Sequence, residues 1–235
     1  MGNKKKMSRG ALLELLVVIL LGVTALLTAW ASWVGSLHGG NQATNYTRSN
    51  NIASEGNSEY NAAVQSLTQD MMLYNEVNVL MIDQAFAENR GDKDELGKIS
   101  WKIDELISAN MSEELSVAFD WAMEQTEARG ESVSPFEKEG FVESYFETAN
   151  ALLAESEEIL EQGKQDNKNG DTFGLVTVIY SMVLFLLGIT GTFKNEKNKI
   201  AVLCISGAAF LIATIFMMTI PMPTGFSLSS FFGGN

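Results

Sequence analysis

The feature that constrains this chain most is the run Ala11 to Gly35, ALLELLVVILLGVTALLTAWASWVG, behind the basic start MGNKKKMSRG. Between Ala11 and Val34 only Glu14 is ionisable. At about 1.5 Å of rise per residue this stretch makes a helix of roughly 36 Å, enough to cross a hydrocarbon core of about 30 Å with some tilt. Lys4, Lys5, Lys6 and Arg9 flank its start, and such a short basic flank is retained on the cytoplasmic side. Trp30 and Trp33 stand at the other end, where indole rings favour the headgroup level, so both are expected as interface anchors. Ala29-Trp30-Ala31 imitates a signal-peptide cleavage site. The run nevertheless exceeds the usual h-region of about 7 to 15 residues, so a retained anchor is expected.

Two further apolar runs, Phe173 to Phe193 and Ile200 to Ile220, are joined by KNEKNK. Lys194, Lys197 and Lys199 make that joint basic and place it on the cytoplasmic side as well. The expectation is a multi-pass protein of the plasma (inner) membrane. Its spans are residues 11–35, 173–193 and 200–220, and its cytoplasmic parts are 1–10 and 194–199. Residues 36–172 form the extracytoplasmic domain, and 221–235 an extracytoplasmic tail whose Phe226, Phe231 and Phe232 suit the interface.

Charge divides along the same lines. Residues 38–173 hold 27 acidic and nine basic side chains, a formal charge of −18, while the remainder carries +5. Such an acidic segment repels nucleic acid and anionic lipid, so no nucleic-acid partner is expected; attraction of cations or of a basic partner is permitted. The sole cysteine, Cys204, lies in an apolar run and reads as packing. The sole histidine, His38, lacks the neighbouring ligands of a metal site and reads as an interfacial polar residue. No phosphate loop, nucleophile elbow or spaced Cys/His set is present. No catalytic, cofactor-binding or metal residues are therefore expected, and no enzymatic activity. Glu155, Glu157, Glu158 and Glu161 have helical spacing, but carboxylate runs of this kind are usually solvated faces.

The acidic segment reads as long helices. Tyr46, Ser49, Ala53, Gly56, Tyr60, Ala63, Leu67, Tyr74, Val77, Met81 and Ala85 recur at spacings of three and four, predicting one helix over about 41–88 with a lean seam. Asp92 and the residues after Asn110 open shorter helices, with Trp101 and Trp121 as packing anchors. Ser134-Pro135-Phe136-Glu137 predicts the start of a long returning helix, with Val142, Tyr145, Ala149, Leu152, Ser156 and Ile159 inward. GKQDNKNGD, with Gly163 and Gly170, reads as either a frayed joint or a helical stalk. The fold class is thus an all-α integral membrane protein with three transmembrane helices and an antiparallel long-helix bundle outside.

In the first span, Ala25, Thr28, Ala29, Ser32 and Ser36 make a small-residue face suited to close helix packing, expected against the second or third span of the same chain, with a copy of the first span as the alternative. Glu14 is the one carboxylate inside a span and is expected to pair with Lys6 or Arg9 near the cytoplasmic end.

The passage AWASWVGSLHGGNQATNY and the segment from Gly170 to Phe173 resemble an uncharacterised group of small bacterial membrane proteins with three spans and a helical domain between the first two. The resemblance covers about a quarter of the chain and implies the layout, with no activity or site residues to transfer. The layout is also similar to the sensor domains of bacterial chemoreceptors, but the cytoplasmic parts here are too short for a signalling domain. The leading expectation is a non-enzymatic accessory or structural subunit, anchored in the bilayer and assembled with itself or with another membrane protein. An oligomeric ion channel or transporter with an acidic outer vestibule, lined by Thr24, Thr28, Thr177, Ser181 and Thr214, is the first alternative. An extracytoplasmic sensor acting through a partner is the second.

Overall fold

A computed structural model describes residues 8–226; the basic start through Met7, and Phe231 and Phe232 of the tail, lie outside the described residues. The fold is all-helical: α1 (Arg9–Arg90), α2 (Lys93–Asn110), α3 (Glu113–Arg129), a 3₁₀ turn (Pro135–Glu137), α4 (Phe141–Ser144), α5 (Glu147–Ile189), a second 3₁₀ turn (Thr190–Thr192) and α6 (Glu196–Met218). Among the described residues there is no strand. Three of the helices, α1, α5 with its terminal turn, and α6, contain windows long and apolar enough to cross a membrane.

The chain forms two compact units, residues 1–48 with 158–235, and residues 49–157. The first, here the apolar unit, is built on Ala31, Val34, Phe173, Val176, Tyr180, Ala213 and Ile220, contributed by α1, α5, α6 and the residue shortly after α6. Glycine makes this packing close. A Cβ on Gly35 would stand 3.1 Å from that of Phe173, and one on Gly170 would stand 3.4 Å from the Gly35 carbonyl oxygen. A Cβ on Gly163 would stand 2.6 Å from the Tyr46 ring. The GKQDNKNGD stretch is therefore neither frayed nor a joint: α5 runs through it, and its glycines admit α1 at close range.

In the second, acidic unit, α1 buries Ser49, Gly56, Ala63, Asp70 and Val77. Seven residues make almost two turns, so these side chains form one stripe that drifts by about 20° per heptad around the helix. This corrects the expected seam at its far end. Leu73, Leu80 and Ala87 are buried there, whereas Met81 is exposed. Leu73 and Val77 pack with Leu115, Ala118 and Phe141, and Leu80 and Ala87 with Ile99.

The helix ends follow local chemistry. Gly91, at φ +68°, closes α1, with the Gly91 and Asp92 N–H groups donating to the carbonyls of Glu88 and Ala87 in a Schellman arrangement. Asp92 then accepts from the Glu95 N–H at 3.2 Å and starts α2, and Ser112 accepts from the Leu115 N–H at 3.0 Å and starts α3.

The expected long helix from Ser134 does not propagate. Ser134 and Glu137 do form their reciprocal capping box, but the element stops as a 3₁₀ turn; Gly140, at φ +79°, reverses the backbone and α5 begins only at Glu147. Tertiary packing explains the interruption. Phe136 and Phe141 both reach the same core and meet edge to face at 5.3 Å, with Tyr74 and Tyr145 against their outer edges at 5.6 and 5.5 Å. An unbroken helix would point residues five positions apart in different directions.

Candidate functional site

The residues expected to matter in the first span fall on two sides of α1. Thr24, Ala31, Val34 and His38 are buried in the apolar unit. Ala25, Ala29, Ser32 and Ser36 are exposed, and Thr28 is half-buried with its hydroxyl donating to the Thr24 carbonyl at 2.7 Å. The small-residue face is thus left uncovered by α5 and α6. Trp30 and Trp33 are half-buried and lie 5.4 Å apart, with Phe226 edge-on to both at 6.1 and 5.8 Å. Their neighbour is a residue of the segment that follows α6.

Glu14 lies 3.9 Å from Lys199 of α6, with its side chain 74% exposed. Lys6, one expected partner, is outside the described residues. The pair borders a cavity of about 370 Å³ lined by Leu13, Val17, Leu21, Leu187 and Leu203. Cys204 is exposed and Trp101 is 67% exposed, so neither is the packing residue expected from sequence.

The hydroxyls that would line a polar path are already engaged. Thr24, Thr177, Ser181 and Thr214 donate to the carbonyls of Leu20, Phe173, Thr177 and Phe210, each one turn back, at 2.6 to 3.0 Å. Tyr180, fully buried, meets Thr214 at 2.9 Å. Ser206 is the exception, with a buried hydroxyl that finds no partner among the described residues. Among the described residues no three His, Cys, Asp or Glu side chains converge closely enough to hold a metal ion.

The polar centre of the apolar unit was not legible as such. His38, read from sequence as an interfacial polar residue, is 1% exposed and enclosed by its own chain. Its Nδ1 is 2.7 Å from Asp166 Oδ1 and its Nε2 is 3.1 Å from the Pro221 carbonyl oxygen. The Asn45 amide donates to Asp166 Oδ2 at 3.2 Å, and the imidazole stacks on Phe173 at 5.8 Å. One imidazole thereby ties α1 to α5 and to the segment that follows α6. Asn41, one turn beyond His38, donates to the Thr224 carbonyl and hydroxyl, both at 3.1 Å, and holds the same segment.

The acidic unit has its own polar centre. Asp70, 2% exposed, accepts from the Tyr145 hydroxyl at 2.6 Å and from the Ser112 hydroxyl, while the Ser112 N–H approaches its other oxygen at 3.4 Å. Burial, followed by the hydrogen bond to Asp70, raises the Tyr145 hydroxyl well above the usual tyrosine range. A protonated phenol donating to a carboxylate is what this environment favours.

What the fold defines is a class: over the described residues, an all-helical protein with three helices long and apolar enough to cross a membrane. No family model, curated protein or solved structure matches the chain.

Proposed function

We propose that this protein is a non-enzymatic, membrane-anchored helical subunit that assembles through surfaces its own fold leaves open. The observation that carries this reading is an exposed apolar stripe on α1 in the acidic unit. Met72, Val79, Ile82 and Phe86 recur at intervals of seven, three and four, and are 68%, 58%, 51% and 61% exposed. In a unit this acidic, a row of large apolar side chains loses free energy to water unless another surface covers it, and such patches mark protein contacts. The interval is that of a coiled-coil seam, which suits a helix of a partner or of a second copy. The uncovered small-residue face, Ala25, Ala29, Ser32 and Ser36, supports the same reading within the span, because small side chains gain from close helix approach and little from lipid.

In this proposal the three apolar segments span the bilayer. The basic flanks put the N-terminus and the loop 194–199 in the cytoplasm and the acidic unit outside. The formal charge of −18 over residues 38–173 disfavours self-association at low ionic strength and favours a partner with a basic rim. Crosslinking from Val79→Cys on a Cys204→Ser background, in native membranes, tests it. A crosslinked product whose yield falls when Phe86 is changed to Asp is expected. A protein that stays a lone monomer in mild detergent, and yields no crosslinked product in membranes, would sink the proposal. The mass of the product separates a second copy from a different protein.

A further inference from the structure

We infer that His38 and Asp166 form a proton-binding site that latches the segment Pro221–Phe226 onto α1. The inference comes from counting protons. Each imidazole nitrogen faces an oxygen that offers only lone pairs, a carboxylate at 2.7 Å and a backbone carbonyl at 3.1 Å. A neutral imidazole has one N–H and one bare nitrogen. Both contacts are therefore satisfied only when the pair holds two protons, as imidazolium with carboxylate or as neutral ring with carboxylic acid. Either form is net neutral, which suits a site where His38 is 1% and Asp166 11% exposed.

Removal of one proton leaves a buried negative charge and a bare nitrogen opposite an oxygen. The remaining proton stays between the ring and Asp166, because a lone pair facing a carboxylate at 2.7 Å is the worse of the two choices. The contact that fails is the one to Pro221.

The charged groups on the elements around the pair include Lys164 on α5, paired with Glu161, and Arg48 on α1. On α5 the nearby Lys168 and Asp171 are exposed, and Asp171 accepts from Asn167. The segment from Thr219 to Phe226 contains no ionisable side chain. On α1 the flanking titratable residues are Glu14, beside Lys199, and Tyr46, whose ring lies against Gly163; Asn45 is uncharged.

A nitroxide label at Met222→Cys on the Cys204→Ser background reads the latch directly, since Met222 is half exposed. The full-length protein is compared at about pH 5.5 and about pH 8.5, on either side of the ordinary imidazole titration. The expected result is an immobilised label at the lower pH and, at the higher, a detached-to-docked ratio larger by about tenfold, the size of one ordinary hydrogen bond. Asp166→Asn separates this mechanism from others. The amide donates to Nδ1, the neutral ring then donates from Nε2 to Pro221, and the label should remain immobilised at both pH values. His38→Gln, whose amide can also donate to that carbonyl, should likewise lose the pH response. A wild-type label indifferent to pH overturns the inference, as does an undiminished response in both variants. Near-ultraviolet circular dichroism on each sample identifies a variant that has lost its fold, and the remaining one decides.

Discussion

The two polar centres, His38–Asp166 in the apolar unit and Asp70–Ser112–Tyr145 in the acidic unit, are both built around a buried aspartate, yet their donors and acceptors balance differently. Around Asp70 every contact runs from a donor to the carboxylate, and the Ser112 hydroxyl, having donated, also accepts from the Leu115 N–H. Around His38 two acceptors converge on one ring, and the balance closes only with a second proton. The first centre is satisfied as it stands, donor to acceptor at every contact. The second depends on proton supply. Burial alone does not decide whether an ionisable group responds to pH; the sign of the groups facing it does.

The largest expected effect comes from removing the first of these centres. Asp70→Ala strips the shared acceptor from two hydroxyls and should destabilise the acidic unit by about 3 kcal/mol, given that hydrogen bonds to a charged group contribute about 1.5 to 3 each. The shift of the urea midpoint, followed by tyrosine and tryptophan near-ultraviolet signals, measures it. A loss no greater than that of an exposed control such as Asp83→Ala would mean the centre is ornamental.

Gly163→Ala should cost about 2 kcal/mol, typical of overpacking, because the new methyl meets the Tyr46 ring rather than the end of a flexible chain. Adding Tyr46→Leu in a double-mutant cycle should recover most of that loss. Strict additivity would show that the close approach of α1 and α5 is not what the glycine serves.

The smallest effect is the alkaline one. The Tyr145 hydroxyl is raised in the folded protein, so its contribution is complete below the unfolded tyrosine value of about 10 and declines as pH climbs from there towards the folded value. Stability between about pH 10 and 11 should therefore fall more steeply in the wild type than in Tyr145→Phe. Equal slopes would remove Tyr145 from the account.

What sequence could supply was local. The three apolar windows, the Asp92 cap, the break after Asn110 and the inward stripe Ala149, Ser156 and Ile159 were all readable, because each rests on neighbours within a few positions. The same locality explains the failures. His38 and Asp166 stand 128 positions apart, so nothing near either residue signals the other. Gly163 and Gly170 looked like punctuation because their meaning lies in another helix. Ser134 did start an element as its capping chemistry predicts, but Gly140 and the competition of Phe136 and Phe141 for one core ended it after a single turn. Of the candidate small-residue face, sequence gave the composition. Its exposure depended on which side of α1 the glycine-lined face of α5 would take.

The contact between His38 and Pro221 spans 183 positions, nearly the whole described chain. A chain made from its N-terminus carries His38 out of the ribosome long before either of its partners exists. Asp166 arrives with α5, and the Pro221 carbonyl only after α6 has been made. Until then the imidazole is a polar group in search of two acceptors, and a chain truncated before Pro221 can supply only one. The site can therefore close only once both α5 and the segment after α6 have been made.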